Sequence, residues 1–123
     1  MNYKTLNITL FEDCPFELLV ELIKKAFNTN LQPEKVKGRW VARGKTNVFK
    51  IYLIDRIDEL FDEPDKYHVL KIEPNQNYLS QEEFIEKEVI DILGNNNILW
   101  IRGIWAPVPH NGPYREIFPN KTM

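Results

Sequence analysis

The spacing of apolar residues changes along the chain, and this change constrains the fold more than any other feature of the sequence. Polar and apolar residues alternate from Leu6 to Leu10, a period of two that predicts a strand with one buried face. A helix is predicted next, with Asp13 or Cys14 as its cap and Pro15 in its first turn. Apolar residues recur there at helical spacing, at Phe16, Leu19, Val20, Ile23 and Phe27.

The middle of the chain is rich in residues that favour strands. Residues 36–42 and 48–54 flank a turn-forming segment that contains Gly44 and Asn47, so together they predict a hairpin. Residues 67–73 have a similar composition and predict a further strand.

A second helix and a last strand are predicted in the C-terminal third. Ser80 and Glu83 have the spacing of a capping box, and Gly94 suits a left-handed helix stop. Residues 98–105 predict a strand, and the proline-rich residues 106–123 predict a C-terminal tail. The buried stripe of the helix is expected at Phe84, Ile85, Val89, Ile92 and Leu93.

The resulting order is β-α-β-β-β-α-β, which predicts a single α+β domain spanning residues 1–123. We expect a mainly antiparallel five-stranded sheet with both helices packed on one face. A length of 123 residues fits one hydrophobic core, since single cores usually hold about 100–150 residues.

Cysteine content and the N-terminal sequence bear on the compartment. Cys14 is the only cysteine, so no intramolecular disulfide can form and a reducing environment is expected. The first ten residues lack the basic start and apolar run of a signal peptide, and no apolar stretch reaches the length of a membrane span. We therefore expect a cytoplasmic protein without membrane contact.

Motifs for catalysis, metal binding or cofactor binding are not recognisable, so we expect no enzyme, no metal and no cofactor. Gly44-Lys45-Thr46 resembles the end of a phosphate-binding loop, but the spacing to Gly38 is one residue too long. A reactive thiol at Cys14 and a general base at His68 are the nearest alternatives, and neither residue has a diagnostic neighbour.

Charge is distributed unevenly within a chain whose formal net charge is only −2. Between Lys35 and Lys50 there are six basic residues and no acid, whereas six acids and the single base Arg56 lie between Asp55 and Asp65. The two blocks either neutralise each other within the fold or serve as binding surfaces.

The acidic block is the preferred candidate for a docking surface, because carboxylates around an apolar anchor attract and then hold a basic partner protein. Trp105 and Tyr114 are added from the aromatic C-terminal segment, although one of Trp100 and Trp105 is expected in the core because they lie on opposite faces of the strand. The predicted contact residues of the acidic block are Asp58, Glu59, Leu60, Phe61, Asp62, Glu63 and Asp65.

Two other functions remain open at this point. The basic hairpin, residues 35–50, could bind nucleic acid beside Trp40, but the acidic pI of about 5.7 and the expected burial of Trp40 make nucleic acid the weaker partner. A small enzyme or ligand-binding domain without a local motif is the third reading.

The small size, the lone cysteine, the order of elements and the acidic loop between Asp55 and Asp65 resemble the small immunity proteins of bacterial contact-dependent inhibition systems. The resemblance lies in these general features of the whole chain and includes no signature residue. It implies a cytoplasmic inhibitor that binds a cognate toxin domain stoichiometrically, with a basic nuclease as the expected toxin.

Overall fold

The computed structural model describes residues 3–61, 65–108 and 112–119. A short 3₁₀ helix, Gln76–Tyr78, precedes the second α-helix. In chain order the main elements are β1 (Tyr3–Leu10), α1 (Phe16–Phe27), β2 (Gln32–Val36), β3 (Arg39–Lys45), β4 (Phe49–Asp58), β5 (Val69–Pro74), α2 (Glu82–Asn95), β6 (Trp100–Val108) and β7 (Arg115–Ile117).

All described strands form one antiparallel sheet in the spatial order β2-β3-β4-β5-β1-β6-β7. The predicted α+β class is confirmed, whereas the prediction of five strands is wrong because the sheet has seven. The first strand lies between β5 and β6, so the N-terminal strand pairs with the strand that follows α2.

One extra strand comes from a turn inside the segment predicted as a single strand. Lys37 and Gly38 have φ angles of 51° and 85°, the left-handed geometry that joins two antiparallel strands by a two-residue connection. Residues 36–42 are therefore divided between β2 and β3, with Val36 directly opposite Arg39.

The other extra strand lies in the segment predicted as a tail. Residues 106–108 continue β6, and β7 pairs with β6 through Arg115 opposite Trp105 and Ile117 opposite Gly103. Residues 106–108 and 115–117 of this segment thus belong to the sheet.

The core lies between one face of the sheet and the two helices. Leu6, at the centre of β1, is directly opposite Ile72 of β5 and Trp105 of β6, and all three side chains have 0% exposure. The buried residues of both helices belong to the same core, and the helices contact each other. The helical residues buried there are Phe16, Leu19, Val20, Ile23, Phe27, Ile85, Val89 and Leu93.

Several predicted helix details are wrong. The N-caps are Pro15 and Gln81, neither of which makes a side-chain capping hydrogen bond, so Asp13, Cys14 and Ser80 do not cap the helices. Gly94 lies inside α2, and the left-handed residue after that helix is Asn97 with a φ angle of 55°.

Phe84 does not belong to the buried stripe of α2. Its side chain is 49% exposed and stacks on Tyr78, with ring centroids 6.4 Å apart. No helix in the described segments is long and apolar enough to cross a membrane.

Candidate functional site

Exposed apolar side chains are concentrated at one end of the sheet, where β1, β2, β4 and β7 end and β3, β5 and β6 begin. Seven of the eleven large apolar residues that are exposed in the described part of the chain lie there, which we call the apolar rim. Concentrations of this kind mark interaction sites on soluble domains. The rim consists of Phe11, Trp40, Ile57, Leu60, Phe61, Leu99 and Phe118.

Leu60 and Phe61 are the most exposed members of the rim, at 68% and 69%. The turn that carries them is fixed by Asp58, whose Oδ1 accepts a hydrogen bond from the Leu60 N–H at 3.1 Å and whose carbonyl accepts one from the Phe61 N–H at 3.1 Å. The adjacent Glu59 N–H donates to the Gly38 carbonyl at 2.9 Å, which ties this turn to the β2–β3 connection.

Three of the four described carboxylates of the acidic block are paired with bases of the hairpin. The Nη2 atom of Arg39 donates to Asp65 Oδ2 at 2.9 Å and lies 3.4 Å from Asp58 Oδ2, while Lys35 forms an ion pair with Glu59. The two charge blocks of the sequence therefore neutralise each other here, and the field that these carboxylates could project towards a basic partner is reduced.

Two grooves lie on either side of Tyr67, next to the rim. One has a volume of about 390 Å³ and lies between Phe11 and Tyr67, with Arg56 and Lys66 in its wall. The other has a volume of about 530 Å³ and lies between Tyr67 and Phe118. The rim thus combines projecting side chains with concave, partly aromatic surfaces that an interacting chain can fill.

The predicted contact residues are not all on one surface. Asp58, Glu59, Leu60, Phe61 and Asp65 lie at the rim. Asp62 and Glu63 lie outside the described residues.

The two C-terminal aromatics chosen from the sequence do not contribute to the rim. Trp105 has 0% exposure and its indole N–H donates to Glu86 Oε1 at 2.9 Å, so the prediction of Trp105 as a surface contact is wrong. Tyr114 is 63% exposed, but it precedes β7 and lies near Pro107, at the opposite end of the sheet. Leu60 and Tyr114 therefore belong to different surfaces.

His68 is a structural residue in this geometry. It is 1% exposed, its Nδ1 accepts a hydrogen bond from the Arg56 N–H at 3.1 Å, and its Nε2 lies 3.0 Å from the Cys14 carbonyl oxygen. Since Nδ1 is an acceptor, Nε2 carries the proton and donates to Cys14. Both ring nitrogens are engaged by backbone groups, so neither is available to a substrate.

Cys14 lacks the environment of a reactive thiol. Burial raises the pKa of its thiol, and the nearby carboxylates of Glu12 and Asp13 raise it further against the opposing effect of Arg56. A raised pKa lowers the fraction of thiolate, which is the reactive form, near neutral pH. Within residues 3–61, 65–108 and 112–119, no group of three or more histidine, cysteine, aspartate or glutamate side chains is placed to hold a metal ion.

Most of the rim was not identified from the sequence. Phe11 follows Leu10 directly and so breaks the alternation of β1, and Leu99 similarly follows the buried Ile98. The sequence signal for these rim residues was an apolar residue at a position where the alternation of the neighbouring strand predicts a polar one. Trp40, which the alternation placed in the core, is instead 41% exposed.

Comparison of this chain with models of known protein families, with curated proteins and with solved structures found no match.

Proposed function

We propose that this chain is a protein-binding domain that contacts its partner through the apolar rim, with Leu60 and Phe61 as the anchors. The observation that carries this proposal is the fixed turn on which Asp58 presents two apolar side chains that are more than two-thirds exposed. Anchors held in place before binding lose little conformational freedom in the complex, which favours affinity.

The partner that we propose is a bacterial toxin domain, neutralised by stoichiometric binding. The toxin as partner rests on the resemblance to small immunity proteins in size, lone cysteine and the acidic segment between Asp55 and Asp65. Because Asp58, Glu59 and Asp65 are paired within the fold, we expect apolar contact to contribute more to this binding than charge attraction.

Co-purification followed by a growth assay tests the proposal. The tagged chain is incubated with lysate of its source cell at low and moderate salt, and bound proteins are identified by mass spectrometry. A captured protein is then expressed in a host with and without the chain. We expect its expression to stop growth and the wild-type chain to restore growth.

Matched substitutions test whether the apolar rim is the surface responsible for the restored growth. The double variant Leu60→Ser/Phe61→Ser should fail to restore growth, because it removes both anchors without removing a buried side chain. Phe84→Ser is the control, since Phe84 is also exposed and aromatic but lies on α2, away from the rim. Recovery of nucleic acid alone, capture only of proteins that are not toxic, or full rescue by the double variant would contradict the proposal.

A further inference from the structure

The basic hairpin of the sequence is divided by the fold into two groups of cations. Lys35 and Arg39 are at the rim and pair with its carboxylates. Arg43, Lys45 and Lys50 lie towards the other end of β3 and β4. They alternate with the buried Ala42 and Ile51 and with Gly44, so they project from the sheet face opposite to the helices.

Cations are crowded within this second group. Lys45 and Lys50 are directly opposite each other in the β3–β4 ladder, an arrangement in which like charges destabilise the strand pair. In the next row on this face, Arg43 is opposite Tyr52, and Tyr52 is opposite Lys71. Arg43 Cζ and Lys71 Nζ lie 6.0 Å and 5.5 Å from the centroid of the Tyr52 ring.

Carboxylates neutralise the positive charge of this second group only in part. Glu34 lies 3.0 Å from Arg43, and Glu73 lies 3.5 Å from Lys50. Four cations, Arg43, Lys45, Lys50 and Lys71, thus share the patch with two carboxylates. An anion placed between Lys45 and Lys50 would relieve the repulsion between them.

The patch is concave and has an aromatic wall. A shallow cavity of about 360 Å³ is lined by Arg43, Gly44, Lys45, Lys50 and Tyr52. This volume is at the lower end of the range of about 300–1,000 Å³ that is typical of ligand sites. The ring of Tyr52 and the planar guanidinium of Arg43 are surfaces on which a nucleobase can stack.

We propose that this cavity binds a nucleoside monophosphate unit, with the phosphate between Lys45 and Lys50 and the base against Tyr52 and Arg43. The unit is either a free nucleotide or one residue of a single-stranded nucleic acid, since both present the same phosphate and base. This site is separate from the apolar rim and does not depend on the protein partner proposed above.

Calorimetric titration with adenosine monophosphate and with inorganic phosphate tests the site directly. We expect the nucleotide to bind about tenfold more tightly than phosphate, because the base adds a stacking contact that phosphate lacks. Lys45→Gln/Lys50→Gln should weaken binding of both ligands by at least about tenfold. Lys24→Gln/Lys25→Gln is the matched control, since it removes two lysines from the last turn of α1 and should leave affinity unchanged.

A hexamer of single-stranded RNA distinguishes the two sources of the nucleotide. Tighter binding of the hexamer than of the mononucleotide, with loss of binding in Lys45→Gln/Lys50→Gln, would assign the site to nucleic acid; tighter binding of the mononucleotide would assign it to a free ligand. The variant should fold about as stably as the wild type, because relief of the repulsion between Lys45 and Lys50 offsets the loss of the Lys50–Glu73 ion pair. The proposal is overturned if neither ligand binds, or if the variant and the wild type bind equally.

Discussion

Arg39 and Asp65 form a hydrogen-bonded ion pair of 2.9 Å that joins the start of β3 to the β4–β5 connection across 26 residues of sequence. Because the same guanidinium lies 3.4 Å from Asp58, one basic side chain contacts two carboxylates of the acidic block. Arg39 thus links the two charge blocks of the sequence and supports the turn that carries Leu60 and Phe61.

The first prediction concerns this link. Arg39→Ala should lower the free energy of unfolding by about 1–2 kcal/mol, because the partly buried Asp58 carboxylate loses its cation. Arg43→Ala is the control, since Arg43 pairs with Glu34 at an exposed site where an ion pair contributes at most about 1 kcal/mol. Urea unfolding monitored by circular dichroism measures both. Equal losses in the two variants would show that the Arg39 pairs have no special structural role.

The second prediction concerns two glycines, at which substitution by alanine should change the stability in opposite directions. A Cβ atom at Gly44 would lie 2.3 Å from the Asn30 carbonyl oxygen and 2.5 Å from a methyl group of Leu31, whereas one at Gly94 would meet nothing within 4 Å. Gly44→Ala should therefore destabilise the protein by about 1–3 kcal/mol through overpacking. Gly94→Ala should stabilise it by about 0.5–1 kcal/mol, because alanine is less flexible in the unfolded chain and favours α2.

Urea unfolding of both glycine variants under the same conditions checks these signs. The result also tests the path of the chain between α1 and β3, since Asn30 and Leu31 lie between α1 and β2. A neutral effect of Gly44→Ala would mean that residues 30 and 31 are not packed against β3.

The periodicity of the sequence predicted the class of the fold because periods of two and 3.6 report directly on which faces are buried. Both helices, β1 and the core positions of α1 follow from it. Short elements that are defined by their pairing in the sheet cannot be predicted from this periodicity. The turn at Lys37 and Gly38 lies in a segment whose composition favours a strand throughout, and the three residues of β7 are too few for a period to be visible.

The candidate surface was predicted in part for a related reason. Leu60 and Phe61 could be recognised because apolar residues within a run of acids are seldom buried. The pairing of Asp58 and Asp65 with Arg39 could not be recognised from the sequence. The two acids lie 19 and 26 positions from Arg39, and the pairing depends on the register of β3 with β4.

The thiol of Cys14 gives a third prediction, about reactivity and pH. Its pKa is raised by burial and by Glu12 and Asp13, so its thiolate fraction near neutral pH is lower in the folded protein than in the unfolded chain. Alkylation by iodoacetamide at pH 8 should therefore be slower for the native protein than for the protein in urea. Asp13→Asn should increase the native rate, because it removes one of the charges that raise the pKa.

Protein stability should respond to the same raised pKa. The folded state holds the thiol proton more tightly than the unfolded state, so the stability contributed by Cys14 is present below the unfolded pKa and is lost as pH rises through the folded pKa. Urea unfolding of wild type and Cys14→Ser across the alkaline range measures this difference. A native thiol that reacts as fast as the unfolded one would contradict both expectations.

The fourth prediction concerns His68, which joins three segments through its ring and backbone. Its ring connects the Arg56 N–H of β4 to the Cys14 carbonyl before α1, and its own carbonyl accepts a hydrogen bond from the Leu10 N–H at 3.0 Å. His68→Phe keeps a planar aromatic ring, although a larger one, but leaves one buried donor and one buried acceptor without their partners. We expect a loss of about 2–4 kcal/mol, since each such group costs about 1–3 kcal/mol.

His68→Gln separates hydrogen bonding from packing, because the glutamine amide supplies one acceptor and one donor in place of Nδ1 and Nε2. It should therefore retain more stability than His68→Phe in urea unfolding, although its shape fits the site less well. A catalytic role for His68 would require an accessible ring nitrogen, whereas both ring nitrogens are engaged by backbone groups. Equal stability of both variants with the wild type would mean that the two backbone hydrogen bonds contribute nothing to the junction beneath the apolar rim.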